Sequence, residues 1–362
     1  MNNQDHLSGF FKDLKVLELA SVLAGPAVGM FFAELGAHVT KIENKKTGGD
    51  MTRTWKLPKE DKNRSTSAYF SSVNYKKEYL DLDLKDGNDR DRLYQIVMDC
   101  DIVIANFKES SAQKLGVDYE SLSRLNPRLI YASIEGFSSD PRKVAFDMVL
   151  QAETGFMGMN GYPDQLPAKL PVALIDILAA HQLKEGILIA LLKRATAEKG
   201  SCVSVSLEEA ALASLANQAS NYLMEGHIPQ RLGSLHPNIA PYGEIFKTKD
   251  DRLVVAAVGT NKQFISLCEL VDANDLPEDL RFKTNTERVK NREVLKQILD
   301  PLIAKRDSGE FLDACLHRSI PVGEVKGMDQ VMENPIAQKM ILKEEIEGNE
   351  TKRLRTIAFH ID

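Results

Sequence analysis

Asp176 is the side chain of this sequence best placed for covalent chemistry. It follows residues 171–175 (Pro-Val-Ala-Leu-Ile) and opens an apolar stretch in which Ile177, Ala180, Leu183, Ile187 and Leu191 recur at helical spacing. That arrangement predicts a helix with Asp176 at its N-cap. The dipole of such a helix favours an anion, so the carboxylate is expected to be ionised at neutral pH. A carboxylate held at a rigid helix start is a candidate nucleophile for acyl transfer. Capping a helix is the other use of an aspartate there, and this segment alone leaves both roles open.

A second pattern is ionic. Lys45, Lys46, Arg53, Lys76, Lys77, Lys108 and Lys114 fall near the ends of segments that read as strands. Gathered at one rim of a sheet they would hold a polyanionic small molecule, and coenzyme A, with its diphosphate and 3′-phosphate, fits that demand. The first βα turn, Ser21-Val22-Leu23-Ala24-Gly25-Pro26, is where a doubly wound sheet takes its ligand. It lacks GxGxxG spacing and no Walker GxxxxGK run occurs, which argues against an ordinary NAD site and against P-loop chemistry. His236 lies in a loop with no acid–base partner placed by the sequence, and His181, within the long helix, reads as structural. The glycine-rich stretch 155–161 reads either as an active-site loop or as a turn.

These residues need a frame. A buried strand over 14–20, a helix with Pro26 at N1 closed by Gly36, and a strand over 39–43 make a right-handed βαβ unit. Further strands are expected around 68–70 and over 79–84, 102–107 and 129–134, with helices over 88–100 and 119–125. The alternation predicts an α/β fold with an open, doubly wound parallel sheet, Rossmann-like in its large domain. Helices over 177–194 and 207–225 flank a strand at 202–206. A hairpin over 242–258 and helices near 262–271, 287–304 and 308–317 suggest a smaller α+β domain. The tail is expected to be helical, then charged, with a strand at 354–360. The resulting division is a large domain over 1–217, a small one over 226–320 and a C-terminal segment, 326–362, that returns to the large domain.

Bulk properties narrow the function classes. A chain of 362 residues exceeds a typical single core, so two domains are expected. The net charge of −6 argues against a general nucleic-acid binder. Cys100, Cys202, Cys268 and Cys315 are scattered, as expected for reduced core thiols in a cytoplasmic protein, and no Cys/His cluster has metal-ligand spacing. The opening stretch, Met1 to His6, is polar, and the apolar run 186–192 is far short of a bilayer span, so no membrane partner is expected.

The order of motifs resembles the family III CoA-transferases, which include formyl-CoA transferase, carnitine CoA-transferase and the acyl-CoA racemases. The resemblance rests on Ala24-Gly25-Pro26 with the run 35–43, on Gly49-Asp50-Met51-Thr52-Arg53, and on Asn74, Lys77 and Leu80-Asp81-Leu82. It continues through Asn106-Phe107, Leu115-Gly116, the run 125–134 and Gly136-Phe137, then Asp147 with Gln151-Ala152 and Gly155, and 238–243 (Asn-Ile-Ala-Pro-Tyr-Gly).

The resemblance implies that Asp176 is the nucleophile. It also implies that CoA is bound by Val22, Leu23, Ala24, Asn44, Lys45, Lys77, Asn106, Phe107, Lys114, Leu115 and Glu135. Acyl-CoA and carboxylic acids are then the substrates, with no metal and no tightly bound cofactor, and an interlocked homodimer is expected. Three positions depart from the family pattern: Asn44 and Lys114 stand where some members carry arginine, and Glu135 where the residue is otherwise small or basic. The racemase branch needs a histidine immediately before Asp147, and this chain has Phe146. Phenylalanine cannot abstract an α-proton, so transfer is favoured over racemisation or a non-catalytic CoA-binding role.

Overall fold

Six parallel strands carry the larger part of the molecule: β1 (Lys15–Leu19), β2 (His38–Asn44), β3 (Lys77–Leu82), β4 (Ile102–Ala105), β5 (Ile130–Glu135) and β6 (Ser201–Ser206). Their order, β3-β2-β1-β4-β5-β6, is that of a doubly wound sheet, with the direction of winding reversing between β1 and β4. This computed structural model describes residues 9–361; the polar segment from Met1 to His6 lies outside them. Among the described residues no helix is long and apolar enough to cross a membrane.

The helices of this part are α1 (Ala24–Glu34), α2 (Ala68–Ser72), α3 (Gly87–Met98), α4 (Glu109–Leu115), α5 (Tyr119–Leu125), α6 (Asp147–Glu153), α7 (Phe156–Met159), α8 (Leu174–Ala197), α9 (Leu207–Ala213) and α10 (Ala216–Glu225). Strand alternation divides the core between the two faces of the sheet. Val16, Ile102, Ile104, Ile130 and Ala132 pack with α1 and α8, while Leu17, Val103 and Tyr131 pack with α3 and α5. Buried on both faces, β4 is therefore apolar throughout, as a central parallel strand must be. Helix α1 is buried from Ala24 to Ala33, which accounts for its lack of a polar face.

Chain contacts separate a second unit, Gly158–Ala168 with Gln230–Pro335. Its antiparallel sheet comprises β7 (Tyr242–Lys247), β8 (Leu253–Ala257) and β9 (Val322–Glu324). It also contains α11 (Asn261–Leu270), α12 (Asn285–Lys290), α13 (Arg292–Ile303), α14 (Ser308–His317) and α15 (Met328–Met332). Phe246, Val254, Phe264, Phe282 and Leu299 form its core. The buried Arg288 guanidinium is tolerated there because it donates to Ala240 O, Phe282 O and Asn261 Oδ1. The chain then runs through α16 (Pro335–Met340) into a hairpin of the first unit, β10 (Ile341–Ile346) and β11 (Asn349–Leu354).

Several local expectations are corrected. Residues 68–70 are helical, because the Ser67 hydroxyl accepts the Phe70 N–H and caps α2. Pro26 is the third residue of α1, since the turn begins at Ala24. The helix expected over 207–225 breaks at Ala216, whose φ is +46°. The C-terminal strands lie earlier than 354–360, around Glu347-Gly348, where two positive φ angles suit a two-residue hairpin turn. Cys202 is exposed on β6, whereas the other three thiols are buried. The glycine-rich stretch 155–161 holds the short helix α7, and the unpredicted helix α4 fills the connection after β4.

Candidate active site

Helix α8 begins at Leu174, so Asp176 is the third residue of its first turn rather than its N-cap. The reason lies upstream: Asp147 Oδ1 accepts the Ile175 N–H at 2.7 Å and so satisfies an N-terminal donor that a cap would otherwise take. Asp176 is thereby free of capping duty. It is only 8% exposed, and burial, reinforced by the Asp147 charge, pushes its carboxyl from 3.8 to about 7. Desolvation outweighs the helix dipole, so at neutral pH the group divides between acid and carboxylate instead of being fully ionised. Tyr69 of α2 is close enough to feel Asp176, Asp147 and Asp50, and burial with those charges lifts its phenol to about 12.

A cleft of about 570 Å³ opens at the carboxyl ends of β1, β2, β3 and β4, at the reversal point of the sheet. Ala20 and Ser21, Asn44, Asp50, Leu84 and Lys85, and Asn106 with Phe107 line it. Its volume suits a ligand of cofactor size. Asn106 joins two strand ends: its Nδ2 donates to Ser21 O at 2.9 Å and its Oδ1 accepts the Ser21 N–H.

Beneath the cleft lies a buried ionic chain. Lys41 Nζ contacts Glu18 Oε1 at 2.9 Å and Asp50 Oδ2 at 3.1 Å, and Lys77 Nζ contacts Glu18 Oε2 at 2.7 Å. Burial opposes the Lys41 charge, but Glu18 and Asp50 outweigh it and hold the ammonium up. Burial likewise opposes the Asp50 charge, yet Lys41 and the Thr52 hydrogen bonds keep its carboxyl low. Asp50 accepts the Val22 N–H at 3.1 Å, and Val22 has a φ of +75°. A β-branched residue in that region is strained, and such strain persists only where neighbours enforce it. Gly29 of α1 is equally constrained, because a Cβ there would sit 1.9 Å from Glu18 Oε2.

The wall beside Asp50 is set by a second pair. Arg53 bonds Glu43 through Nε and Nη2, stacks 4.1 Å from the Phe70 ring, and reaches Glu347 of the C-terminal hairpin. Glu43 Oε1 also accepts the Asp50 N–H at 2.7 Å. The Gly49 turn fits because Gly49 has a φ of +87° and a Cβ there would meet Glu43 Oε1 at 2.8 Å.

The sequence profile of CoA-transferase family III matches residues 11–362. The chain belongs to that family. The succinate–glutarate CoA-transferase of Agrobacterium fabrum is 36% identical to it, over 96% of this chain and 87% of that one. The human succinyl-CoA:glutarate CoA-transferase is 31% identical over 92% of this chain and 75% of its own length. Among solved structures, a CAIB/BAIF family protein from Brucella suis superposes with a TM-score of 0.85 at 36% identity, covering 96% of this chain and 91% of that one. The protein is thus an enzyme, a family III CoA-transferase.

Within that family frame, the residues singled out by sequence separate into three groups. Asn44, Asn106, Phe107 and Leu115 line the cleft. Val22, Leu23 and Ala24 continue directly from its lining residue Ser21 into the first turn of α1, which no side chain caps. Lys45 follows Asn44 and pairs with Asp89; Lys114 is exposed in the last turn of α4, and Glu135 is exposed at the carboxyl end of β5.

Lys77 is the exception. It starts β3, at the opposite end of the strands, and its ammonium is buried against Glu18, Pro26 O, Val73 O and Asn74 Oδ1. It supports the floor and presents no charge to a ligand in the cleft. The expected convergence of lysines is also largely neutralised, since Lys46 pairs with Asp83 and Arg53 with Glu43. Sequence reasoning missed Glu18, Lys41 and Lys85. A charged residue inside an otherwise apolar strand, as at Glu18 in β1, was the available signal. His236, assigned no proton transfer, accepts the Asn238 N–H at Nδ1.

Proposed function

We propose that the enzyme transfers coenzyme A between carboxylic acids with Asp176 as a covalent nucleophile. The observation that carries this reading is a buried carboxylate at a helix start, relieved of capping by Asp147 and titrating near neutrality. Ionised Asp176 attacks the thioester carbonyl of the donor; the C–S bond breaks, CoA leaves as thiolate, and an aspartyl–acyl anhydride forms. The thiolate then attacks the aspartyl carbonyl, releasing the donor acid and leaving an aspartyl-CoA thioester. The acceptor carboxylate attacks that thioester, expelling thiolate and forming a second anhydride. Attack of the thiolate on the acceptor acyl carbon yields the new acyl-CoA and regenerates Asp176. One thioester replaces another, so the exchange is close to thermoneutral.

In this reading coenzyme A occupies the cleft over β1–β4, which is supported by its lining of Asn44, Asn106 and Phe107 and by Lys85 and Lys108 at its rim, with Val22–Ala24 continuing from the lining residue Ser21. Relatives named for succinate, glutarate, oxalate and mesaconate support short dicarboxylic acids as donor and acceptor. Exposed apolar side chains on α8, α9 and α10, among them Leu192, Leu212, Tyr222 and Leu223, support a homodimer. The test combines hydroxylamine trapping with a donor and acceptor screen read by mass spectrometry. Wild type incubated with succinyl-CoA and hydroxylamine should carry a hydroxamate at Asp176, and Asp176→Asn should bind CoA without turnover. An active Asn variant with no adduct in the wild type overturns the reading.

A further inference from the structure

The chain that delivers Asp176, residues 170–175, is fastened by two side chains of α6. Asp147 accepts the Ile175 N–H through Oδ1 at 2.7 Å and the Gln151 amide through Oδ2 at 2.6 Å. Gln151, one turn on and fully buried, accepts the Leu170 N–H through Oε1 at 2.8 Å. Both ends of the Gln151 amide are engaged, so its orientation is fixed, and the partner it requires at position 147 is an acceptor. The Ile175 N–H likewise requires an acceptor there. Only a carboxylate answers both donors at once.

Resting on the assignment of Asp176 as nucleophile, we propose that Asp147 is a positioning residue of the reaction: it fixes the peptide immediately before Asp176 and places a second anion beside the reacting carboxylate. A charge-assisted bond to a backbone N–H is of the strong kind, and here it acts one residue from the attacking oxygen. The neighbouring anion keeps the Asp176 electron pair basic and therefore readier to attack an acyl carbon.

Among the described residues, few other charges face Asp176. Of the elements packed on α8, α6 contributes Asp147, while Glu34 of α1 faces Lys184, about 12 Å farther along the helix. Glu208 of α9 is taken up by Ser138 and Ser139, and Glu135 of β5 lies towards Cys202 of β6. Among the described residues, Tyr69 of α2 is the remaining titratable neighbour, and its phenol stays neutral through the working pH range.

The test compares Asp147→Asn with the double variant Asp147→Asn/Gln151→Glu. In the double variant the amide at 147 still accepts from Ile175 and donates to the new carboxylate at 151, which accepts from Leu170. The fastening is restored with the charge moved by one turn. Asp147→Asn is expected to lower kcat at the alkaline plateau about 10²-fold, leave the CoA dissociation constant within about twofold, and shift the acidic limb of kcat/KM to lower pH. The double variant is expected to recover most of the plateau rate. A wild-type plateau kcat in Asp147→Asn, or no recovery in the double variant, overturns the proposal. If Asp147→Asn fails to bind CoA, the double variant decides alone: a rate near wild type supports the proposal and a rate as low as that of Asp176→Asn overturns it. Hydroxylamine trapping on the wild type separates this inference from its premise, since a missing Asp176 adduct refutes the nucleophile itself.

Discussion

Replacing Asp176 by asparagine should abolish turnover and, at alkaline pH, make the fold more stable. The carboxyl is 8% exposed and its folded-state value is raised from 3.8 to about 7 by burial and Asp147. A carboxyl raised in the folded state favours folding fully only below its unfolded value, where both states hold the proton. Between the two values the folded state keeps a proton that the unfolded chain has lost, so stability falls as pH rises and levels off above about 7. The whole span is on the order of 4 kcal/mol, and the part between pH 5.5 and 8.5 is about 2 kcal/mol. Asparagine has no such titration, and other groups cancel in the comparison. Urea denaturation of both proteins at one fixed concentration, at pH 5.5 and pH 8.5, measures the difference. The variant should gain about 2 kcal/mol on wild type between the two pH values. Parallel curves would refute the claim that burial controls this carboxyl. A gain would show a site held at the expense of stability because reactivity needs the desolvated anion.

Three further predictions address the floor and the rim of the cleft. Lys77→Met should cost about 3–5 kcal/mol in chemical denaturation, because it strands Glu18 beside a single lysine, while CoA affinity of the folded protein stays unchanged. Lys108→Glu should do the reverse, weakening CoA binding about tenfold and reducing its salt dependence with stability intact; weakened CoA binding with full stability in Lys77→Met would restore the sequence-based assignment. Gly29→Ala should destabilise by about 1–3 kcal/mol, since Glu18 is held by two lysines and cannot retreat from the added methyl group. Gly87→Ala, in open space at the start of α3, is the matched control and should be neutral or slightly stabilising in the same thermal melt.

The sequence by itself determined the βα alternation, since short apolar strand segments and period-3.6 helices are local properties. It also determined that Asp176 stands at the start of a long apolar helix, and the likeness to family III that its ordered motifs carry. It erred where a single hydrogen bond decides the local outcome: the Ser67 hydroxyl turns residues 68–70 into a helix, and the Asp147–Ile175 bond moves the start of α8 two residues ahead of Asp176. Charge was the least legible property. Lys77, Lys45 and Lys108 look alike in sequence, yet one is sealed against Glu18, one is paired with Asp89, and one stands at the cleft rim. Their partners come from strands and loops tens of residues away, and burial, which sets whether an ionic group is ligand, strut or nucleophile, exists only after those elements pack. The same holds for Asp176: the sequence placed a carboxylate at a helix start, and the tertiary structure, by excluding water and adding Asp147, raised it to near neutrality.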